Sequence, residues 1–268
     1  MLKLPLSRFS TAEIRQWLLD EQIVASASVA TVWRWLHQDA LRPWFYHSWL
    51  FRRDPQFLEK AGPVLDLYHR RWQGEPLGPN DCVISADEKS QVQVLGRSTS
   101  TQAPSAKRSG LVEFEYTRGG TVAYLAALDV FSGQVFGRVD ATTGIEPFNA
   151  LVHLVMLREP YRSANRVFWI VDNGASHHPS TFPARLQSLY ANAVAVMLPF
   201  HASWLNQIEL YFSILQRKAL TPNDLATPAA MTERILGFEH RYNRNAKPFH
   251  WRFTRADLEE RMRRLEAA

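Results

Sequence analysis

Cysteine is nearly missing from this 268-residue chain, which carries Cys82 and no other. No intrachain disulfide or thiolate zinc cluster can form, and a reducing compartment fits. Cys82 sits in an apolar strand and reads as a core residue. Long apolar runs are missing as well. No stretch reaches the roughly 18 consecutive apolar residues of a membrane span, and the N-terminus has no signal-peptide core, so the expected location is the cytoplasm. There is no His-x-x-x-His pair, no internal repeat and no low-complexity tract. A large charge excess is lacking too: 31 Lys and Arg against 26 Asp and Glu give +5, which suits a polyanionic partner without demanding one. What is abundant is core material. Hydrophobic residues make up 46% and aromatics 12%, which excludes global disorder and suffices for one large domain or two smaller ones.

Three acidic stretches stand out. In Cys82-Val-Ile-Ser-Ala-Asp-Glu-Lys89 and Phe168-Trp-Ile-Val-Asp-Asn-Gly174, a strand-forming apolar run ends in a carboxylate. This pattern predicts Asp87 and Asp172 at the mouth of a buried sheet. The third, His201-Ala-Ser-Trp-Leu-Asn-Gln-Ile-Glu209, is expected to be helical. Leu205, Ile208, Phe212 and Leu215 then form an apolar stripe, with Asn206, Glu209 and Ser213 in a polar stripe beside it and Glu209 against the sheet edge. Neighbouring strand residues point to opposite faces, so Asp87 rather than Glu88 is assigned to the site. Three converging carboxylates need their charge neutralised. A pair of hard divalent cations, Mg2+ or Mn2+, would do so and would suit a phosphodiester displacement. An imidazole site built on His177, His178 or His201 is disfavoured by their spacing.

At these residues the chain resembles the DDE-type transposases, specifically the bacterial insertion-sequence branch related to mariner elements. The resemblance rests on Asp-Glu-Lys-Ser-Gln at 87–91, Val-Asp-Asn-Gly at 171–174 and the nine residues 201–209, and it extends to Pro248-Phe-His-Trp251. It implies an RNase H-like catalytic domain with Asp87, Asp172 and Glu209 as catalytic metal ligands. Lys89, Asn173, His178, His201 and Asn206 are candidate supporting groups. Lys89 could hold a phosphate, and the two asparagines could orient a carboxylate. A dimer on DNA is implied by the resemblance alone.

Ahead of these blocks, Ser10 and Glu13 have capping-box spacing and start a helix through about Glu21. A second helix is predicted from an N-cap at Ser28 to about Gln38, with Val29, Val32 and Leu36 on one side. As a helix-turn-helix it would present Thr31, Arg34, His37 and Gln38 to the major groove or its phosphates, followed by basic Arg42 near Pro43-Trp-Phe-Tyr46. Trp33, Trp35 and Trp44 read as packing residues. An ordinary helical hairpin has the same local pattern, and the acidic blocks tip the balance towards DNA. Longer members of the resembling family carry a further DNA-binding helical unit before this one. Ten residues precede it here, so end recognition is expected to need a supplement.

Asp54-Pro55 starts one helix or two, interrupted at Pro63 and reaching about Trp72. The Gly/Pro cluster at 74–80 is then the expected domain boundary. The predicted order is a helix-turn-helix region at 1–53, a helical linker at 54–80 and a catalytic domain at 81–268. Within the last, a strand at 81–87, an exposed loop at 98–110 with Lys107 and Arg108, and a hairpin around Phe131-Ser-Gly133 come first. A helix near 147–158, a strand at 167–172, a helix near 183–190 and a strand near 193–198 follow. The fold class is therefore α/β, an RNase H-like mixed five-stranded sheet with flanking helices behind an all-α segment. The functional expectation is metal-dependent cleavage and strand transfer of double-stranded DNA. The rivals are a DNA-binding regulator or inactive relic, and an RNase H-like nuclease acting on other nucleic acids.

Overall fold

Ser10 closes a reciprocal capping box with Glu13, and this fixes the start of helix α1 (Thr11–Asp20). Helix α2 (Val29–Gln38) starts after Ser28, whose hydroxyl accepts from the Thr31 N–H at 3.0 Å. Between them Arg15 Nε donates to the Ala27 carbonyl at 2.7 Å, and Val32 is the residue of α2 buried to 2%. This computed structural model describes residues 9–38 and 54–266. The chain divides between Arg52 and Arg53, with α1 and α2 in the first unit.

The second unit opens with helix α3 (Phe57–Tyr68), which runs unbroken through Pro63. Proline costs a helix about 3 kcal/mol, but α3 buries Ala61, Val64, Leu65, Leu67 and Tyr68 against the sheet. That apolar burial outweighs the lost hydrogen bond, so the expected interruption does not occur. Trp72 is not helical either. It lies in a two-residue ribbon, β1 (Arg71–Trp72) against β2 (Glu75–Pro76), turned by Gln73 and Gly74, both at positive φ. Its ring packs 4.8 Å from that of Phe168. Residues 54–80 are therefore no linker. They help build the core of the second unit, and the Gly/Pro cluster falls inside that unit.

The main sheet comprises β3 (Asp81–Gly96), β4 (Thr117–Asp129), β5 (Val135–Asp140), β6 (Arg166–Val171) and β7 (Ala193–Met197), in the order β5-β4-β3-β6-β7. The β3/β4 and β4/β5 pairs are antiparallel, while β3/β6 and β6/β7 are parallel. Helix α4 (Ile145–Met156) makes the crossover between β5 and β6, and α5 (Phe182–Leu189) the one between β6 and β7. The mixed α/β sheet expected from the pattern is what the chain forms. Strand β3, however, does not end at Asp87. It continues nine residues further, paired along β4, with a register shift between Lys89 and Val92 where Gln91 has φ 51°. The predicted loop at 98–110 is exposed and is cross-linked by isolated bridges between Gln102 and Leu111 and between Ser105 and Arg108.

Alternation gives the sheet two apolar faces. Ile84, Ala86, Val167, Trp169 and Val171 pack with Phe148, Leu151 and Val155 of α4 and with Phe182 and Leu186 of α5. On the other face Val83, Phe168 and Ile170 meet α3 and Leu258 and Met262 of the last helix, α8 (Arg255–Glu266). Further along that face Tyr124, Ala126 and Leu128 meet α6 (Ile208–Lys218) and α7 (Pro228–Asn243). Cys82 is half-buried, and burial pushes its thiol up to about 11. Among the described residues no helix is long and apolar enough to cross a membrane.

Ser85 ties the start of α6 to the sheet. Its hydroxyl donates to Asn206 Oδ1 at 2.5 Å and accepts from the Ile208 N–H at 2.9 Å, all three residues being buried. Ser85→Ala leaves a buried donor and acceptor without partners and is expected to cost roughly 1–3 kcal/mol. Thermal denaturation should show a midpoint lowered by several degrees; an unchanged midpoint would show that Ser85 does not anchor the helix.

Candidate active site

In the parallel pair β3/β6, Ser85 lies beside Ile170. Two residues further along each chain come Asp87 and Asp172, so strand register brings the two carboxylates level on neighbouring chains, on the same side of the sheet. Asp87 is 7% exposed, in mid-strand. Asp172 is one residue beyond the end of β6, and its side chain is 37% exposed. Asp87 Oδ1 accepts the Glu88 N–H at 2.7 Å, and Oδ2 accepts from Asn206 Nδ2 at 3.2 Å. Asp172 Oδ1 accepts the Gly174 N–H at 2.8 Å.

The third block is only partly helical. Residues Ser203–Leu205 form a 3-10 turn, Asn206 is extended at ψ 109°, and α6 begins at Ile208. The expected apolar stripe is buried throughout, but Asn206 does not belong to an outward polar stripe. It is 1% exposed, and its amide bridges the Ala86 carbonyl and Asp87. Glu209 occupies the first turn of α6, where the helix dipole favours an anion. It is solvent-exposed and lies on the face of the sheet that carries Asp87. Partial desolvation of the carboxyl, although the residue as a whole is exposed, raises it above the usual range, Lys89 opposes this, and the charge of Asp172 adds to it.

The tightest cluster includes a residue that the spacing rule had set aside. One ligand atom from each of Asp87, Asp172 and His177 lies within 4.8 Å of the others, and Glu209 is not in that group. His177 is fully buried, on a 3-10 turn (Ala175–His177), with its ring 4.8 Å from Phe148 and 6.2 Å from Phe182. The sequence signal was Gly174. A Cβ there would lie 2.8 Å from His177 Cε1 and 3.1 Å from Asp172 Oδ1, so a larger residue would push the imidazole or the carboxylate out of place. The other candidates separate. Lys89 is half-buried and electrostatically coupled to Glu209. Asn173 donates to the Leu198 carbonyl at 2.8 Å, tying β6 to the end of β7 rather than orienting a carboxylate. His178 is exposed and paired with Ser180, and His201 is exposed at φ 60°.

In the first unit, Arg34 and His37 are exposed, and Thr31 Oγ1 lies 2.9 Å from Ser28 Oγ at the start of α2. Trp33 and Trp35 are 48% and 42% exposed, so they do not pack inside as expected; Trp33 stacks on His37 at 4.8 Å. The Gln38 side chain, Arg42 and Trp44 lie outside the described residues.

Electrostatically the cluster favours a cation. Burial first, then the charge of Asp172, raises Asp87 to about 7; the Glu88 N–H and His177 oppose this and Glu209 adds to it. His177 is raised as well: burial works against its charge, but Glu88 and Asp172 outweigh that. Asp87 and Asp172 offer hard oxygens in a half-dry setting, the donor chemistry that Mg2+ or Mn2+ takes.

Residues 83–227 match the family model described as DDE superfamily endonuclease. Two solved structures share the fold. One is the Mos1 mariner paired end complex with Mn, at TM-score 0.54 and 14% identity over 91% of this chain and 75% of that one. The other is a pre-cleavage Mos1 transpososome, at TM-score 0.51 and 15% identity over 92% and 75%. Comparison with curated proteins finds no match.

The raised Asp87 carboxyl has a consequence for stability. A folded-state value near 7 against about 3.9 unfolded means that the fold holds this proton more tightly. The stabilisation is complete below about pH 4 and is lost as pH rises through about 7. In metal-free protein, Asp87→Asn should therefore melt increasingly above wild type as pH rises from about 5 to about 8. Saturating Mn2+ should reverse the order, because it stabilises only the wild type. Melting curves across pH with and without Mn2+ check this; a difference that does not change with pH contradicts it.

Proposed function

The chain belongs to the DDE superfamily endonucleases, and we propose that it is a DNA transposase that cleaves and joins strands at the ends of an insertion sequence. The observation that carries this reading is the level placement of Asp87 and Asp172 on adjacent parallel strands, with Glu209 entering from the first turn of α6 on the same face. In this reading Asp87, Asp172 and Glu209 would hold two divalent cations, Mg2+ or Mn2+. Such ions lower the pKa of an attacking oxygen and absorb charge on the leaving one.

The protein's own contribution is positioning. Asn206 and the Glu88 N–H fix both oxygens of Asp87, and Ser85 fixes Asn206 in turn. Lys89, near Glu209, supplies a positive charge for a phosphate beside the carboxylates. Water attacks the phosphodiester first. The 3′-hydroxyl released by that P–O cleavage then attacks a phosphodiester of the target strand at the same site, a new P–O bond forming as the target's own 3′ oxygen leaves, and no covalent enzyme intermediate is needed. The exposed Arg34 and His37 of α2, with Thr31 near its start, serve duplex DNA together with Gln38 and Arg42 of the sequence pattern, and two element ends call for a homodimer on the DNA.

Ala substitution of Asp87, Asp172 or Glu209 should lower Mn2+-dependent cleavage of duplexes carrying the inverted repeats that flank the reading frame by roughly 10²–10³-fold or more, with DNA affinity kept within a few-fold. Gel-based cleavage and mobility-shift assays measure the two. Retained cleavage in all three variants would sink the site assignment. Equal cleavage of an RNA–DNA hybrid would replace the transposase reading with that of a general RNase H-like nuclease.

A further inference from the structure

His177 stands where it could be taken for a third ligand, within 4.8 Å of both aspartates. Its hydrogen bonds argue otherwise. Nδ1 lies 2.8 Å from the main-chain oxygen of Asp172 and 3.1 Å from its Oδ1. A carbonyl oxygen can only accept, so Nδ1 carries the hydrogen and has no lone pair to offer a cation. Nε2 is buried without a hydrogen-bond partner and faces Glu88 Oε2 at 3.6 Å.

Glu88 itself is on the opposite face of β3 from Asp87. Its carboxylate, 12% exposed, accepts from Ser176 Oγ, and the Ser176 carbonyl accepts from Arg185 Nη2. Arg185 Nε in turn donates to Asn149 Oδ1 of α4 at 3.1 Å. Phe148 and Phe182 enclose the imidazole, and Gly174 lets it approach.

We propose that His177 is a positioning residue: with Glu88 behind it, it holds Asp172 level with Asp87 and does not itself bind the ion. Glu88 is thereby a working part of the centre although it faces away from the cations. The assignment rests on the metal-dependent endonuclease reading above. It adds that Asp172 is clamped through a residue of β3's other face, Glu88, which couples the two strands by side chains as well as by the sheet ladder.

The test is Mn2+ binding to the full-length chain, followed by the loss of the free-ion electron paramagnetic resonance signal, in wild type and in the variants His177→Ala, His177→Asn, Glu88→Gln and His177→Ala/Glu88→Gln. Loss of a group that orients a ligand typically weakens metal binding about 10–100-fold. That loss is expected for His177→Ala, with a smaller one for Glu88→Gln. The double variant should be no weaker than His177→Ala, because the two residues act as one unit. His177→Asn keeps an amide donor near the position of Nδ1 and should recover most of the affinity, which a cavity effect would not allow. Pulsed spectra of Mn2+ bound to protein labelled with 15N-histidine should carry no imidazole coupling.

Imidazole coupling would make His177 a ligand and overturn the assignment, as would wild-type affinity in His177→Ala or additive losses in the double variant. Equal losses in His177→Asn and His177→Ala would reduce the residue to packing and overturn it too. Failure of the wild type to bind Mn2+ would bring down the endonuclease site itself, and this clamp with it.

Discussion

Two carboxylates held side by side on adjacent parallel strands repel each other, and most of what surrounds them manages that repulsion. The ladder between β3 and β6 fixes Asp87 and Asp172 level, because each lies two residues beyond the Ser85/Ile170 pair. The cost of this placement appears in Asp87, which burial and its neighbour raise to about 7. Backbone N–H groups from Glu88 and Gly174, the amide of Asn206 and the imidazole of His177 each take up part of the negative charge. They orient the oxygens without neutralising them, which leaves the pair suited to a dication.

The apolar core provides the rigidity for this. Trp169, Phe168 and Ile170 are fully buried on the strand that delivers Asp172, and Val83, Ile84 and Ala86 on the strand that delivers Asp87. One face of the sheet supports Glu88 and His177 through α4 and α5, and the other supports Asp87 and Asn206 through α6. A side chain at the centre can therefore shift only if a packed helix shifts with it.

Much of this was legible in the sequence for a simple reason. The run Val167–Val171 is continuous and apolar because its strand is covered on both faces, and Asp172 after it marks the strand's end; in Val83–Ala86 only Ser85 interrupts the apolar pattern. The crossovers followed from the helices between those runs. What escaped depends on tertiary structure. The helical order of α3 through Pro63 is set by the sheet beneath it, and the continuation of β3 past Asp87 by pairing with β4. The burial of Asn206 depends on Ser85, more than a hundred residues earlier. His177 was passed over because metal-site spacing rules look for ligands, whereas its connection to Asp172 is made through a short 3-10 turn and a contact to a main-chain oxygen.

The acidic residues also differ in their access to water, and this bears on how such a centre could load and work. Asp87 is almost dry at 7% exposure, the side chain of Asp172 is 37% exposed, and Glu209 stands at the rim. Charge interactions strengthen as water is excluded, so the innermost carboxylate gains most from a bound cation and suffers most without one. For the outer carboxylate, Lys89 and the positive end of α6 oppose part of the upward shift that burial and Asp172 impose. The fold therefore grades the three carboxylates in exposure, from Glu209 through Asp172 to Asp87. Each is set by a different kind of structure: a helix terminus for Glu209, a strand end for Asp172 and mid-strand for Asp87.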